Sequence, residues 1–188
     1  MSENNAQASL ALAYTTYRQM CAQHQDVLDK LRDDVRQLVN QRQLISEMND
    51  SRWIALQQAV SHLPFPPPFL LKQVTDTQAP EYDLQSKIPS WTGDWTNYDE
   101  EGMPPFFMIE WIKVRAQLSR HRGRLIADEI IDATEEFRAI LLKLRLPYTE
   151  DNGIFTLYGY RDLTNQRVET NEENECVEQI EQSPTQMR

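Results

Sequence analysis

The chain has 188 residues, 40% of them hydrophobic, and carries a formal net charge of -10 with a pI near 4.8. This length fits one domain with a modest core. The acidic balance excludes general binding to nucleic acid or anionic lipid, because either surface would repel the chain as a whole, so such contact would need a local basic patch.

Cysteine usage and the absence of targeting segments bear on the compartment. Cys21 falls within a predicted helix and Cys176 in a polar segment, so neither context favours a disulfide, which suits a reducing compartment. The first residues lack the regions of a signal peptide, and no apolar run approaches the ~18 residues needed to cross a bilayer. We therefore expect a soluble, cytoplasmic protein without membrane contact.

Apolar residues at alternating intervals of three and four predict two long amphipathic helices, over residues 8–48 and 105–145. The seam of the first contains Leu10, Tyr14, Tyr17, Cys21, His24, Leu28, Leu31, Val35, Leu38, Arg42 and Ile45; that of the second contains Ile109, Ile112, Ala116, Ser119, Gly123, Ile126, Ile130, Ala133, Phe137, Ile140 and Leu144. The second seam keeps its phase across Gly123, which favours one continuous helix. A break there into two helices is the alternative, since glycine costs about 1 kcal/mol in a helix interior.

These helices predict a mainly α fold organised as a long antiparallel helical hairpin, similar to a coiled coil. In the antiparallel register large side chains of the first helix meet small ones of the second, as when Leu31 faces Gly123 and Leu38 faces Ala116. A second apolar stripe through Trp111 remains uncovered in such a pair. Either the rest of the chain covers this stripe or a second copy does so in a homodimer.

A shorter third helix is predicted over residues 51–63. The side chains of Asn49, Asp50 and Ser51 can cap its start, and Pro64 must end it. The proline-rich run 64–69 that follows predicts a stiff extended strap between layers. A ligand for an aromatic-groove domain is the alternative use of such a run.

Residues 70–102 form a predicted irregular connection, rich in proline and tryptophan, with a short strand at 70–75. Long irregular connections in compact domains are often functional. Trp91, Trp95 and Tyr98 lie here among acidic residues. Either these rings are core residues that pack against the helices, or together with Trp111 they form a contact surface for a protein partner.

A β-hairpin is predicted over residues 147–160, because Asn152-Gly153 separates two β-prone runs. A lone hairpin is marginally stable, so it should pack on a helix end or pair with the strand at 70–75. Residues 163–188 are polar and glutamate-rich, which predicts a disordered acidic tail. The predicted organisation is one helical domain over residues 1–162 followed by this tail.

No pattern indicates catalysis. The three histidines, His24, His62 and His121, lie on different predicted elements without ligand spacing. The five glycines form no phosphate loop or dinucleotide fingerprint, and no Gly-x-Ser-x-Gly occurs. We expect neither enzyme activity nor a metal or cofactor.

One basic stretch interrupts the acidic chain. Its candidate nucleic-acid contacts are Lys113, Arg115, Arg120, Arg122 and Arg124, since guanidinium groups bind phosphate bidentately. The same groups could instead pair with aspartates of the first helix or with an acidic partner.

The leading hypothesis is a non-enzymatic protein-binding module, such as an adaptor, assembly subunit, dedicated chaperone or inhibitor of another protein. The alternative is a nucleic-acid-associated subunit of a larger complex.

Overall fold

The computed structural model describes residues 3–96, 102–124 and 126–162, and within them the fold is mixed α/β. Its helices are α1 (Glu3–Gln23), α2 (Gln25–Gln41), α3 (Asp50–Val60) and α4 (Thr134–Leu144). Its strands are β1 (Leu44–Ser46), β2 (Phe69–Gln73), β3 (Ile109–Arg115), β4 (Gln117–Arg120), β5 (Glu129–Asp132), β6 (Tyr148–Asp151), β7 (Ile154–Tyr158) and β8 (Tyr160–Asp162). The predicted tail, 163–188, lies outside the described residues.

The described strands form a four-stranded antiparallel sheet, in the order β2-β3-β7-β6, and two ribbons, β1-β8 and β4-β5. The predicted mainly α, coiled-coil-like helical hairpin is therefore wrong. Where a continuous helix was predicted over 105–145, the chain forms a 3-10 turn at Phe106–Met108, then β3, β4 and β5, and becomes α-helical at α4.

The error has a physical cause in the apolar pattern of β3 and β4. The inward-facing residues alternate with a period of two, which is the strand signature, and these are Ile112, Val114, Ala116 and Leu118. Ile109, Ile112 and Ala116 also fit spacings of three and four, so they satisfy the helical template equally. Gly123 decides against a helix, because its φ of +125° is a conformation that no α-helix contains.

The predicted helix over 8–48 is also wrong in part. It is broken at His24 and ends at Gln41, after which Gln43 has a φ of +53° and β1 begins. β1 pairs with β8, so that Ser46 lies opposite Tyr160. Instead of pairing with a second long helix, α1 contacts α3, and α2 contacts the 3-10 turn.

Two local predictions are confirmed. Asn49 caps α3, since its side chain accepts a hydrogen bond from the backbone N–H of Arg52 at 3.0 Å. β6 and β7 form the predicted hairpin, with positive φ angles at Asn152 and Gly153 as a two-residue turn requires. The hairpin is joined to β2 through β3, which lies between them.

The core lies between the four-stranded sheet and the helices. Its largest buried side chains come from both layers and include Tyr17, Trp53, Phe137 and Phe155. Phe137 of α4 meets Phe155 of β7 edge-on, with ring centroids 5.1 Å apart. This apolar layer positions the surface features described below.

A bulge in β3 places one carboxylate inside the protein. Lys72 pairs with Trp111 and Gln73 with Ile109, so Glu110 is the extra residue. Both terminal nitrogens of Arg42 donate to its carboxylate at 2.7 Å, and the Lys72 ammonium lies at 2.5 Å. Burial raises the pKa of Glu110, but these hydrogen bonds outweigh burial and hold it below its usual value. The bulge is thereby held by a buried ionic cluster.

Candidate protein-contact site

The two-stranded ribbon of β4 and β5, with the described residues of its connection, 121–124 and 126–128, is called the arm. Ser119 pairs with Ile130 and Arg120 with Glu129. The arm is fixed at its base, where Leu118 packs with Phe65 of the proline strap. The Ser119 N–H also donates to the Pro89 carbonyl at 2.8 Å.

The outer part of the arm exposes apolar and basic side chains together. Ile126 is 57% exposed and Ile130 is 46% exposed. Arg120, Arg122 and Arg124 are exposed as well, and they form no ion pair with any residue that the structure describes. Such a combination is available for contact with another molecule.

Two of the three acidic side chains of the arm, Asp128 and Asp132, are engaged in hydrogen bonds, whereas Glu129 is exposed. Asp128 accepts a hydrogen bond from Ser119 Oγ at 3.2 Å, and its other oxygen lies 3.0 Å from His121 Nδ1. Asp132 accepts from Gln117 Nε2 at 2.7 Å and from the Thr134 N–H at 2.9 Å. These bonds hold the side chains of the arm in a defined arrangement.

The arm contains the residue types of a hydrolytic triad, namely Ser119, Asp128 and His121, but hydrogen bonds join them in a different order. A nucleophilic serine donates to a histidine, which the carboxylate orients. Here Asp128 lies in the middle and contacts both of the others. Ser119 therefore donates to the carboxylate and not to the histidine, and the two bonds of Asp128, which directly precedes β5, link it to β4 and to the connection.

An exposed aromatic pair lies beside the base of the arm. Trp91, 37% exposed, meets Tyr82 edge-on with ring centroids 6.1 Å apart. The segment that carries them is tied to the sheet by Arg115, whose guanidinium donates to the carbonyls of Leu84 and Gln85. The Pro89–Ser119 hydrogen bond joins the same segment to the arm.

The other predicted protein contacts have different surroundings. Trp95 is 8% exposed, donates from Nε1 to the Pro67 carbonyl at 2.8 Å and meets Phe69 edge-on at 4.9 Å, so it belongs to the core. Trp111 is half-buried on β3. Tyr98 lies outside the described residues.

The predicted basic stretch divides into separate groups. Lys113 places its ammonium 5.1 Å from the centre of the Trp111 ring, and Arg115 is occupied by loop carbonyls and Gln117. Arg120, Arg122 and Arg124 lie at the end of β4 and in the loop that follows, and all three are exposed. The predicted pairing with aspartates of the first helix does not occur for Asp29 or Asp33, which pair with Arg32 and Arg36 on their own helix.

Tyr82 and the two isoleucines of the arm are exposed apolar residues that were not among the contacts predicted from the sequence. The predicted helix over 105–145 places Ile126 and Ile130 in a seam that faces a partner helix. The period-two alternation of apolar residues at 112–118, followed by Gly123, was the signal for strands in place of a helix.

Comparisons with known proteins point to one family. No curated protein and no solved structure matches the chain. Within the described residues, no helix is both long and apolar enough to cross a bilayer. Residues 35–164 match the model of DUF6678, a family of unknown function, and this range includes the arm and the Tyr82–Trp91 pair. The chain therefore belongs to the DUF6678 family.

Proposed function

We propose that this protein is a protein-binding module, without enzymatic activity, that contacts its partner through the arm and the adjacent Tyr82–Trp91 pair. The observation that carries the proposal is the exposure of Ile126 and Ile130 among arginines without an ion-pair partner in the described residues. Aromatic residues and arginine are enriched in protein interfaces, where they supply much of the binding energy.

The chemistry of the arm specifies the partner surface. A complementary surface has a shallow apolar patch to receive Ile126 and Ile130, with carboxylates at its rim to pair with the arginines. Arginine binds carboxylate bidentately, so such pairs fix the orientation of the partner as well as its affinity. Asp128 and Asp132 are already hydrogen-bonded, so they would compete little for these arginines.

The charge count of the arm favours a protein over nucleic acid. Its three arginines are balanced by Asp128, Glu129 and Asp132, which would repel a phosphate backbone. Exposed isoleucines likewise gain nothing from contact with phosphates. Nucleic-acid binding is therefore the weaker alternative for this surface.

The first experiment is affinity purification of the tagged full chain from its native cell, followed by identification of the protein that co-purifies and measurement of its affinity. Ile126→Ser combined with Ile130→Ser should weaken that affinity by roughly tenfold or more, as loss of interface anchors does. Gln at Arg120, Arg122 and Arg124 should weaken it similarly and reduce its salt dependence.

The matched control is Leu12→Ser combined with Leu142→Ser, because these side chains are 69% and 62% exposed and belong to α1 and α4, outside the arm. This control should bind as the unaltered chain does. Equal weakening in the control, or full affinity in the arm variants, would contradict the proposal.

A second experiment titrates the chain with single- and double-stranded DNA and RNA at low and moderate salt. We expect no salt-sensitive binding. Binding that disappears when the three arm arginines become glutamine would favour the nucleic-acid alternative.

A further inference from the structure

A cleft separate from the arm lies where α1, the start of α3 and the 3-10 turn meet β8. It encloses about 380 Å³. Five of its lining side chains are aromatic: Tyr14, Trp53, Phe106, Phe107 and Tyr160. A second cavity of about 270 Å³ lies alongside, between α1, α2 and α3. Asp50, the first residue of α3, lines both.

Asp50 is a half-buried carboxylate without a bonded partner. Among the described residues it accepts no hydrogen bond and forms no ion pair. Arg18 and Arg32 line the second cavity and act on Asp50 through space. Arg32 is itself engaged, since it pairs with Asp29 at 3.2 Å and lies 4.9 Å from the centre of the Phe107 ring.

The electrostatic effects agree with this geometry. Burial raises the pKa of Asp50, and the opposing effects of Arg32 and Arg18 do not offset it. Burial also raises the pKa of Tyr160, to which the nearby charge of Asp50 adds. An acid in the first turn of a helix normally benefits from the helix dipole. Here desolvation is the larger effect, so a cation entering the cleft would relieve an existing cost.

We infer that this cleft binds an organic ammonium ion, with its charge beside Asp50 and its carbon-bound groups against the rings of Tyr14, Phe107 and Tyr160. Aromatic rings attract cations to their faces, and a carboxylate supplies the countercharge. The net charge of -10 would draw cations toward the protein. The ion could belong to a free amine or to a lysine side chain.

Other ligand classes fit this cleft less well. An anion would meet the unpaired Asp50 carboxylate, and a neutral apolar ligand would bury that carboxylate further without pairing it. Within the described residues no group of three or more His, Cys, Asp or Glu side chains could hold a metal ion. The inference does not depend on the proposed role of the arm.

The test is calorimetric titration of the full chain with spermidine, with tetramethylammonium, and with N-acetyl-lysine methylamide. The Nε-acetylated form of the last compound serves as its neutral analogue. We expect the cationic probes to bind and the neutral analogue not to bind. Spermidine binding without lysine-analogue binding assigns the site to free amines, and the reverse assigns it to a lysine side chain.

Asp50→Asn removes the charge with little change of shape, and it should weaken binding by roughly tenfold or more. Asp26→Asn is the matched control, because Asp26 lies in the first turn of α2 and is exposed. The control makes the same change in net charge and should bind normally. Tyr14→Leu, at the exposed rim, should weaken binding by about threefold, the size of one cation–π contact.

The inference is overturned if no cationic probe binds, or if the neutral analogue binds equally well. Equal weakening by Asp50→Asn and Asp26→Asn would overturn it too, since that result reports net charge alone. Inorganic phosphate binding through Arg18 and Arg32 would have the same consequence. Circular dichroism of each variant checks folding, and the Tyr14 variant keeps the test decisive if Asp50→Asn fails to fold.

Discussion

Glu110 and Asp50 are two carboxylates that folding withdraws from water, yet they end in opposite states. Burial raises the pKa of both, but Arg42 and Lys72 reverse this effect at Glu110. At Asp50 the nearby arginines are too weakly coupled to do so. The difference separates a carboxylate that stabilises the fold from one that is available to a ligand.

The backbone explains why the partners differ. The bulge in β3 directs Glu110 toward the end of α2 and toward the neighbouring strand, and each supplies one cation. Asp50 begins a helix beside a cleft, where the cations come from α1 and α2 and remain apart from it. Breaking each site should therefore have opposite effects on stability.

Glu110→Ala should produce the largest loss, about 3 kcal/mol of the free energy of unfolding, because it leaves Arg42 and Lys72 without their shared anion. This is at the low end for such clusters, since the side chain of Arg42 is 37% exposed and can rehydrate. Urea denaturation measures the loss. Glu129→Ala, an exposed carboxylate on β5, is the control and should change stability by less than about 0.5 kcal/mol. Similar losses of stability in Glu110→Ala and Glu129→Ala would contradict the stabilising role assigned to Glu110.

The contribution of Glu110 should depend on pH in a defined direction. Its pKa is lower in the folded chain than its ordinary 4.5. The stability difference between the unaltered chain and Glu110→Gln should thus be full above about pH 5 and shrink as the pH falls toward the folded-state pKa. Denaturation series from pH 7 to pH 3 test this. A difference that grew on acidification would contradict the assignment.

Asp50→Asn should stabilise the protein at pH 7 by about 0.5–1 kcal/mol, because it removes a charge whose burial is unfavourable. Substitutions in binding sites often stabilise proteins in this way. The pKa of Asp50 is raised above its ordinary 3.8. The charged form of Asp50 therefore lowers the free energy of unfolding at pH values above that raised pKa. The gain of the variant should therefore vanish below about pH 3.8. Thermal melts at pH 7 and pH 3.5 measure it, and destabilisation at pH 7 would show that Asp50 is paired.

Asp128→Ala should have the smallest effect on stability, less than about 0.5 kcal/mol, because exposed side-chain pairs contribute little. Its effect on partner affinity should be larger, since His121 and Ser119 would no longer hold the arm in order. Parallel melts and binding measurements separate the two effects. Unchanged affinity would show that the order of the arm is irrelevant to binding.

Local signals in the sequence predicted local structure well. Asn49 as a helix cap and Asn152-Gly153 as a turn depend on neighbouring backbone atoms alone, and both are confirmed. The period of Ile109, Ile112 and Ala116 was ambiguous, because three residues at such spacing suit a strand and a helix alike. That ambiguity produced the wrong fold class.

The candidate sites were only partly predictable. The arginines of the arm and Trp91 were singled out by composition, but their neighbours depend on the ribbon that replaced the helix. The unpaired state of Asp50 arises from contacts among α1, α2 and α3, which no local pattern specifies. Likewise, Glu110 was absent from the predicted sites because its cations are distant in sequence at Arg42 and Lys72.

The β1–β8 ribbon has a consequence for the order of folding. Ser46 and Tyr160 are partners across this ribbon, and both line the cleft around Asp50. A ribosome must therefore release residues up to about 162 before the cleft can close, and contacts of such long sequence separation form slowly. The four-stranded sheet faces a similar delay, because β2 and β3 are complete before β7 emerges. During synthesis, Asp50 and the aromatic side chains that line its cleft would stay in water until β8 has left the ribosome.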